Sequence, residues 1–377
     1  MKIAIIGTTA SSFYGFRLDL LKKLIELNHE VYAFTSEYSE EELAKIKDLG
    51  AIPKTYELKR GGLTPFSDIQ TVLELTCRLK RIKPDIVFSY FSKPVIYGTL
   101  AASLAKTPKI VGMLEGLGYT FTEQPNGDAL KTKFIRRLQV ELYRRAIPRL
   151  DKFILLNPDD PIDLLEKYFI SSNNVEVLGG IGLNLEEYSY TPLPKSELSI
   201  NFVFVARLIK EKGIHEFVAA AKKVKSIYPN TSFTVLGAID KSNPGGLSEV
   251  ELQRLISLNI INYPGYVENV QEWLARSHVF VLPSYYREGV PRSTQEAMAI
   301  GRPIITTDVP GCRETVIDGL NGFLVDKWNS NDLAGRMIYF VENPDQIEKM
   351  GLESYTIAIE RFDVEKTNQK LLKILGF

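Results

Sequence analysis

Cysteine and histidine are scarce in this 377-residue chain. The two cysteines, Cys77 and Cys312, make neither a metal-ligand spacing nor a disulfide framework, which fits a reducing compartment. The three histidines, His29, His215 and His278, are scattered, so a histidine-based metal site is not expected. No stretch approaches the roughly 18 consecutive apolar residues of a membrane span. The opening MKIAIIGTTA has too short an apolar run for a signal peptide and reads as a first β-strand. Net charge is also absent: 46 Lys+Arg balance 46 Asp+Glu, which gives no bulk argument for nucleic acid. The first strand–loop–helix lacks GxGxxG, so the dinucleotide fingerprint is missing.

What is present is a soluble composition, 45% hydrophobic and 24% charged, on a chain too long for one ordinary core. Strands alternate with helices. Strands are predicted at residues 2–6, 29–35, 85–89, 108–113, 153–156 and 175–182, and helices at 17–27, 39–49 and 72–82. Ser189 to Pro194 reads as a linker, and the alternation restarts with strands at 200–205, 232–236, 261–263, 279–282, 303–306 and 322–325. The expected fold is α/β: two Rossmann-like domains with mostly parallel sheets, residues 1–192 and 193–360, facing an interdomain cleft. A last helix within 361–377 would pack back on the first domain.

Residues 279–296, VFVLPSYYREGVPRSTQE, concentrate the chemistry. A buried-strand pattern stops at Pro283, and a polar loop leads to a helix expected to open at Pro291 and end near Gly301. A helix N-terminus favours an anion such as phosphate. Glu288 before it and Glu296 within it, eight residues apart, are costly there unless they bind hydroxyls. Phosphate and sugar together suggest a sugar nucleotide.

Other candidates lie at strand ends. Arg207 and Lys212 flank a turn that opens a helix, where two cations would suit a diphosphate, although an exposed Arg and Lys near a turn are ordinary. Gly237 either lets backbone approach a nucleobase or simply makes a turn. Gly15, in an aromatic-rich loop, is read either as local core or as substrate-facing, and Glu115 as either a turn carboxylate or a site residue. Residues 131–152 pattern as one helix, basic on one face through Lys131, Lys133, Arg136, Arg137, Arg144 and Arg145. Phe134, Ile135, Leu138, Leu142 and Tyr143 line its apolar face. Such a helix suits an anionic membrane surface, or else is a solvated surface helix.

The second half resembles the family-4 glycosyltransferases, retaining enzymes of the GT-B fold. ARLIKEKG at 206–213, the stretch from Phe280 to Gly311 and DGLNGFLV at 318–325 carry the resemblance, with weaker matches at LGAID and PGYVENV. Glu288 and Glu296 match its EX7E motif. EGLGYTF at 115–121 and GGIGLNLEEY at 179–188 are similar to bacterial members that extend polyprenyl-diphosphate-linked oligosaccharides.

The resemblance implies the following roles. Arg207 and Lys212 would hold the donor diphosphate, and Glu296 the ribose. Glu288 would support the donor sugar. Backbone at Gly289, Val290 and Thr294 would face sugar or phosphate, with Gly15, Gly237 and Val267 also at the donor. Many members carry His where this chain has Glu115, which leaves acceptor binding, proton acceptance or structure open for it. The implied enzyme is a retaining hexosyltransferase using a UDP-sugar, with N-acetylgalactosamine preferred, and a polyprenyl-diphosphate-linked acceptor. It would need no metal and no cofactor, bind no nucleic acid, and sit peripherally at the cytoplasmic face of the cell membrane. A sugar-nucleotide epimerase on the same fold and a non-catalytic sugar-nucleotide-binding protein are the competing classes.

Overall fold

Buried runs rich in Ile, Val and Phe make strands where the alternation predicts them, and each half of the chain gathers its strands into its own parallel sheet. The computed structural model describes residues 1–59, 65–193 and 199–377, so Pro194 of the expected linker lies outside the described residues.

The first unit comprises Met1–Thr120, Asp128–Ile181 and Glu365–Phe377. Its strands are β1 (Lys2–Ile6), β2 (Glu30–Thr35), β3 (Ile52–Thr55), β4 (Ile86–Tyr90), β5 (Lys109–Met113), β6 (Lys152–Leu155) and β7 (Val175–Val177), in the order β3-β2-β1-β4-β5-β6-β7. Helices α1 (Ala10–Phe16), α2 (Leu18–Glu26), α3 (Glu40–Asp48), α4 (Pro65–Ile82), α5 (Ser92–Ala105) and α6 (Leu130–Ala146) connect them.

The second unit comprises Phe121–Gly127 and Gly182–Val364. Strands β8 (Asn201–Val205), β9 (Ser232–Leu236), β10 (Asn262–Gly265), β11 (Val279–Leu282), β12 (Ile304–Thr307) and β13 (Gly322–Val325) take the order β10-β9-β8-β11-β12-β13. Its helices are α7 (Ile214–Ile227), α8 (Glu249–Ser257), α9 (Val270–Ala275), α10 (Arg292–Ala299), α11 (Ser330–Glu342) and α12 (Asp345–Arg361). Both sheets are doubly wound, with strand order reversing beside β1 in one and β8 in the other. At such a reversal the loops leaving neighbouring strands diverge and leave a crevice at the carboxyl edge.

The differences from the sequence expectation have physical causes. Helix α5 was not predicted, because it is buried nearly all round from Pro94 to Ala102 and so shows no amphipathic period. Residues 10–16 are helix α1, so Gly15 sits in a helix and not in a loop. Residues 131–152 are not one helix: α6 stops at Ala146, a short 3₁₀ turn carries Pro148, and Lys152 already begins β6. Proline removes the N–H that a continuing helix needs.

The second unit begins at Gly182, upstream of the expected boundary at 193. Leu183 N–H donates to Phe362 O at 2.9 Å, Thr191 N–H donates to Ile300 O at 3.1 Å, and the fully buried Arg302 donates to Thr191 O at 2.8 Å. The last two bonds fasten Thr191, inside the expected linker, to the second unit at the end of α10. The last helix, α13 (Val364–Leu375), lies almost wholly in the first unit. There Lys109 Nζ donates to Leu375 O at 2.8 Å, and the His29 and Phe377 rings stand 4.5 Å apart.

Candidate functional site

The crevice beside β8 collects the residues that the second half supplies. Beyond β8 the chain passes Arg207 and a 3₁₀ turn, Lys210–Lys212, then opens α7 at Gly213 with φ +82°. A side chain at Gly213 would run into the Pro283 carbonyl, so this turn packs directly on the end of β11. That approach lets Lys212 Nζ form an ion pair with Glu288 Oε1, both side chains being about nine-tenths buried, 11% and 12% exposed. Ser284 Oγ donates to the same carboxylate oxygen at 3.2 Å, and the Lys212 ammonium lies 5.7 Å from the centre of the Tyr286 ring. Lys212 was expected to be a diphosphate ligand and Glu288 a sugar ligand; the fold joins them into one charge-neutral unit.

Arg207 is half exposed and reaches Asp240, just past β9, with Nη1 2.6 Å from Oδ2. Partial burial of Asp240 opposes its charge, yet the Ser242 hydroxyl and the Arg207 guanidinium outweigh it and hold the carboxyl below its ordinary range.

Helix α10 opens one residue later than expected. Pro291, with an extended ψ of 123°, is the residue before the helix, and Arg292 is its first. The shift follows from the loop, whose Val290 carbonyl accepts from Gln295 Nε2 at 3.2 Å. Within the first turn, the Thr294 hydroxyl is buried and has no hydrogen-bond partner. Native proteins leave few such groups unsatisfied, so this hydroxyl keeps a free hydrogen-bonding capacity in the first turn of α10.

Glu296, one turn further, is almost fully buried. Its carboxylate accepts from Arg292 Nε at 2.9 Å and from the Tyr188 hydroxyl. Burial raises its pKa above the ordinary 4.5, and Arg292 only partly offsets the rise. A raised acid contributes stability that is full below its ordinary value and lost as pH climbs through the raised one. The stability advantage of the wild type over Glu296→Gln should therefore shrink from pH 4.5 toward neutrality. Paired thermal melts would check this, and a difference flat with pH would refute it.

The turn Asp308-Val309-Pro310-Gly311, assigned no catalysis from sequence, proves to shape the Glu288 loop. Gly311 has φ +82°, and a Cβ there would sit 2.5 Å from Gly289 O and 2.6 Å from Glu288 O. A glycine is what lets the two turns touch, and the contact fixes the backbone of Glu288, Gly289 and Val290.

Next to Arg207 is a pocket of about 430 Å³, lined by Arg207, Gly237, Asp240, Tyr266, Val267 and Ser293 among others. Its size and mostly aliphatic walls with a few polar groups suit a small ligand. Of these, Arg207, Gly237 and Val267 were predicted. Asp240, Tyr266 and Ser293 were missed, although the LGAID and PGYVENV matches contain the first two.

In the first unit, Gly15 faces open space: a Cβ built there meets no protein atom within 4 Å. Glu115, past the end of β5, forms an ion pair with Arg17, and both side chains are almost fully buried, at 9% and 3% exposure. The Arg17 guanidinium lies 4.9 Å from the centre of the buried Tyr90 ring, whose hydroxyl is 2.8 Å from Ser12 Oγ. Among the three roles left open for Glu115, this packing serves the structural one directly.

On α6, Lys131, Lys133 and Arg137 are exposed, whereas Arg136 pairs with Asp128 at 2.6 Å and Arg144 and Arg145 share Glu141 at 2.7 and 3.3 Å. Phe134, expected on the apolar face, is 68% exposed, and Leu130 is 85% exposed. Among the described residues no three His, Cys, Asp or Glu side chains gather to hold a metal ion, and no helix is long and apolar enough to cross a membrane.

Residues 2–156 match the family described as glycosyl transferase 4-like, and residues 192–356 match the glycosyl transferases group 1. The chain is 27% identical to the N,N'-diacetylbacillosaminyl-diphospho-undecaprenol alpha-1,3-N-acetylgalactosaminyltransferase of Campylobacter jejuni, over 99% of this chain and 98% of that protein. It is 26% identical to the UDP-Gal:alpha-D-GlcNAc-diphosphoundecaprenol alpha-1,3-galactosyltransferase of Escherichia coli, over 70% of this chain and 68% of that one. Among solved structures, HepE of Anabaena, crystallised with UDP and glucose, superposes with a TM-score of 0.79 at 18% identity, covering 100% of this chain and 99% of HepE. Two family matches that together span most of the chain, on two parallel-sheet domains, show that it belongs to the GT-B glycosyltransferases, as a hexosyltransferase with a glycosyl transferase 4-like first half and a group 1 second half.

Proposed function

We propose that this glycosyltransferase moves N-acetylgalactosamine, or another hexose or hexosamine, from a UDP-sugar to an undecaprenyl-diphosphate-linked saccharide. Transfer would proceed with retention and without a metal or other cofactor. The observation that carries the reading is the pocket beside β8, which shares Arg207 and one sheet edge with the Lys212–Glu288 pair. The likeness to the Campylobacter jejuni enzyme over nearly the whole chain supports the acceptor class and the sugar.

Uridine and ribose would occupy the pocket, with Gly237 and Val267 against the base and Glu296 accepting from the ribose hydroxyls. Arg207 and Lys212 would neutralise the diphosphate and the charge that grows on it as it leaves. The unsatisfied Thr294 hydroxyl and the backbone of Gly289 and Val290 would face the sugar or phosphate. Glu288 would support the positive charge developing at the anomeric carbon. Retention follows from attack on the same face: the acceptor oxygen forms its bond to the anomeric carbon as the bond to the diphosphate oxygen breaks. The departing phosphate oxygen takes the bond's electron pair and the acceptor proton, so no enzymic base is needed and Glu115 is free to serve as structure.

The decisive assay is release of nucleoside diphosphate from a panel of UDP- and GDP-sugars, with EDTA present, with and without a polyprenyl-diphosphate-sugar acceptor. Acceptor-dependent release of UDP supports the reading and names the donor. Sugar isomerisation without acceptor would replace it with an epimerase, and binding without turnover would replace it with a carrier protein.

A lipid-linked acceptor places the enzyme at the cytoplasmic face of the cell membrane as a peripheral protein. Exposed Leu130 and Phe134 beside Lys131, Lys133 and Arg137 support this, as do exposed Phe66, Ile69 and Leu73 on α4 in the same unit. Each basic residue near an anionic surface contributes about 1 kcal/mol. Replacing Lys131, Lys133 and Arg137 by Glu should weaken binding to phosphatidylserine liposomes at least roughly a hundredfold at low salt. Unchanged sedimentation would remove α6 from the membrane face.

A further inference from the structure

We propose that the segment Phe121–Gly127 is a positioning element for the Glu288 loop, and that Thr122 and Gln124 are its positioning residues. The inference rests on the reading of Glu288 as the donor-sugar ligand. The segment is flanked in sequence by residues of the first unit, yet it belongs to the second. Its attachments fall beside the two charged residues of the crevice.

Thr122 is completely buried, and its Oγ1 accepts from the backbone N–H of Arg287 at 3.0 Å, one residue before Glu288. Gln124 Nε2 donates to Glu211 Oε1 at 3.2 Å, one residue before Lys212. Glu211 is 2% exposed, and its other carboxylate oxygen has no partner, so Gln124 holds a buried charge that would otherwise be poorly satisfied. The same Glu211 organises the Glu288 loop through its carbonyl, which accepts from Tyr285 N–H at 2.8 Å and Tyr286 N–H at 3.1 Å and lies 3.3 Å from Ser284 Oγ. Ser284 Oγ then reaches Glu288 itself. A third attachment, the ion pair of Glu123 with Lys327, is largely solvent-exposed and adds little.

The physical need for such an element is visible in the loop. Residues 283–291 leave β11 without entering a helix, so their backbone N–H groups must find acceptors outside regular structure. Glu211 O serves two of them, Tyr286 O serves that of Glu288 at 2.8 Å, and Thr122 Oγ1 serves that of Arg287, the residue before it. Without the second anchor, the backbone leading into Glu288 would lose the hydrogen bond that holds Arg287 N–H. Misplacing a reacting group by about 1 Å costs around a hundredfold in rate.

The test is Thr122→Val, which keeps the shape and removes the hydroxyl, set beside Thr122→Ser, which keeps the hydroxyl. Hydrogen exchange of the peptide spanning 284–290 is read together with kcat and donor KM. Thr122→Val should accelerate exchange in that peptide and lower kcat roughly ten- to hundredfold, with donor KM within about twofold because the base and ribose pocket is untouched. Thr122→Ser should restore both. Gln124→Ala should reproduce the exchange effect at residues 284–286. Wild-type exchange and kcat in Thr122→Val, or equal damage in Thr122→Ser, would overturn the proposal. A wild type that transfers from no donor would instead defeat the proposed function, and the exchange comparison would still decide the role of the segment.

Discussion

Replacing Glu288 by alanine is expected to reduce kcat by about two to three orders of magnitude, the usual loss when an electrostatic partner of the transition state is removed. The same substitution should also lower stability. Lys212 is about nine-tenths buried, and removing its carboxylate leaves an ammonium with its main counter-charge gone. Breaking one side of a buried pair costs about 3–5 kcal/mol. The two effects can be separated. Glu288→Gln keeps the volume and an oxygen able to accept from Lys212 and Ser284, so it should recover part of the stability while kcat stays low. A Lys212→Met/Glu288→Leu double variant should be more stable than Glu288→Ala yet inactive, since both charges are gone. Chemical denaturation and UDP-release kinetics on the four proteins make the comparison. Near wild-type turnover in Glu288→Gln would remove Glu288 from the chemistry and leave it a structural counter-ion.

Donor binding should collapse in Gly237→Ala. Gly237 closes β9 with φ +141°, a region that only glycine occupies without strain, and a Cβ there would overlap the Ala206 carbonyl oxygen. Backbone strain of this kind costs about 1–3 kcal/mol before the overlap is relieved. Relief can come only by moving Ala206, the neighbour of Arg207, or the pocket floor. UDP affinity measured by calorimetry should fall at least roughly a hundredfold, some 3 kcal/mol, accompanied by a lower melting temperature. An affinity within twofold of wild type would show that the pocket lies away from the nucleotide. Gly15→Ala is the informative contrast. Gly15 is inside α1 and faces open space, so alanine should not destabilise the fold and should favour the helix by up to about 1 kcal/mol. If donor affinity nevertheless drops, the added methyl meets the ligand, as the resemblance implies for this position.

The sequence by itself determined what short-range pattern can carry. Its strand–helix alternation encoded two parallel-sheet domains, because a buried parallel strand is a run of apolar residues and its crossover helix follows at once. It also determined the EX7E pair and the cations after β8, since each motif lies within one strand–loop–helix unit. Tertiary structure decided the rest. Helix α5 was invisible because a helix buried on all sides has no polar face to set a period. The unions of Lys212 with Glu288, Arg17 with Glu115 and Thr122 with Arg287 span 76, 98 and 165 residues, and no local pattern records them. Sheet order accounts for the first two: the doubly wound topology sets the end of β8 beside β11, and the ends of β1 and β5 on either side of β4, so loops remote in sequence share one edge. Thr122, by contrast, reaches Arg287 from a segment that follows no strand of the second sheet. Burial at the shared edge then leaves each charge needing an opposite one.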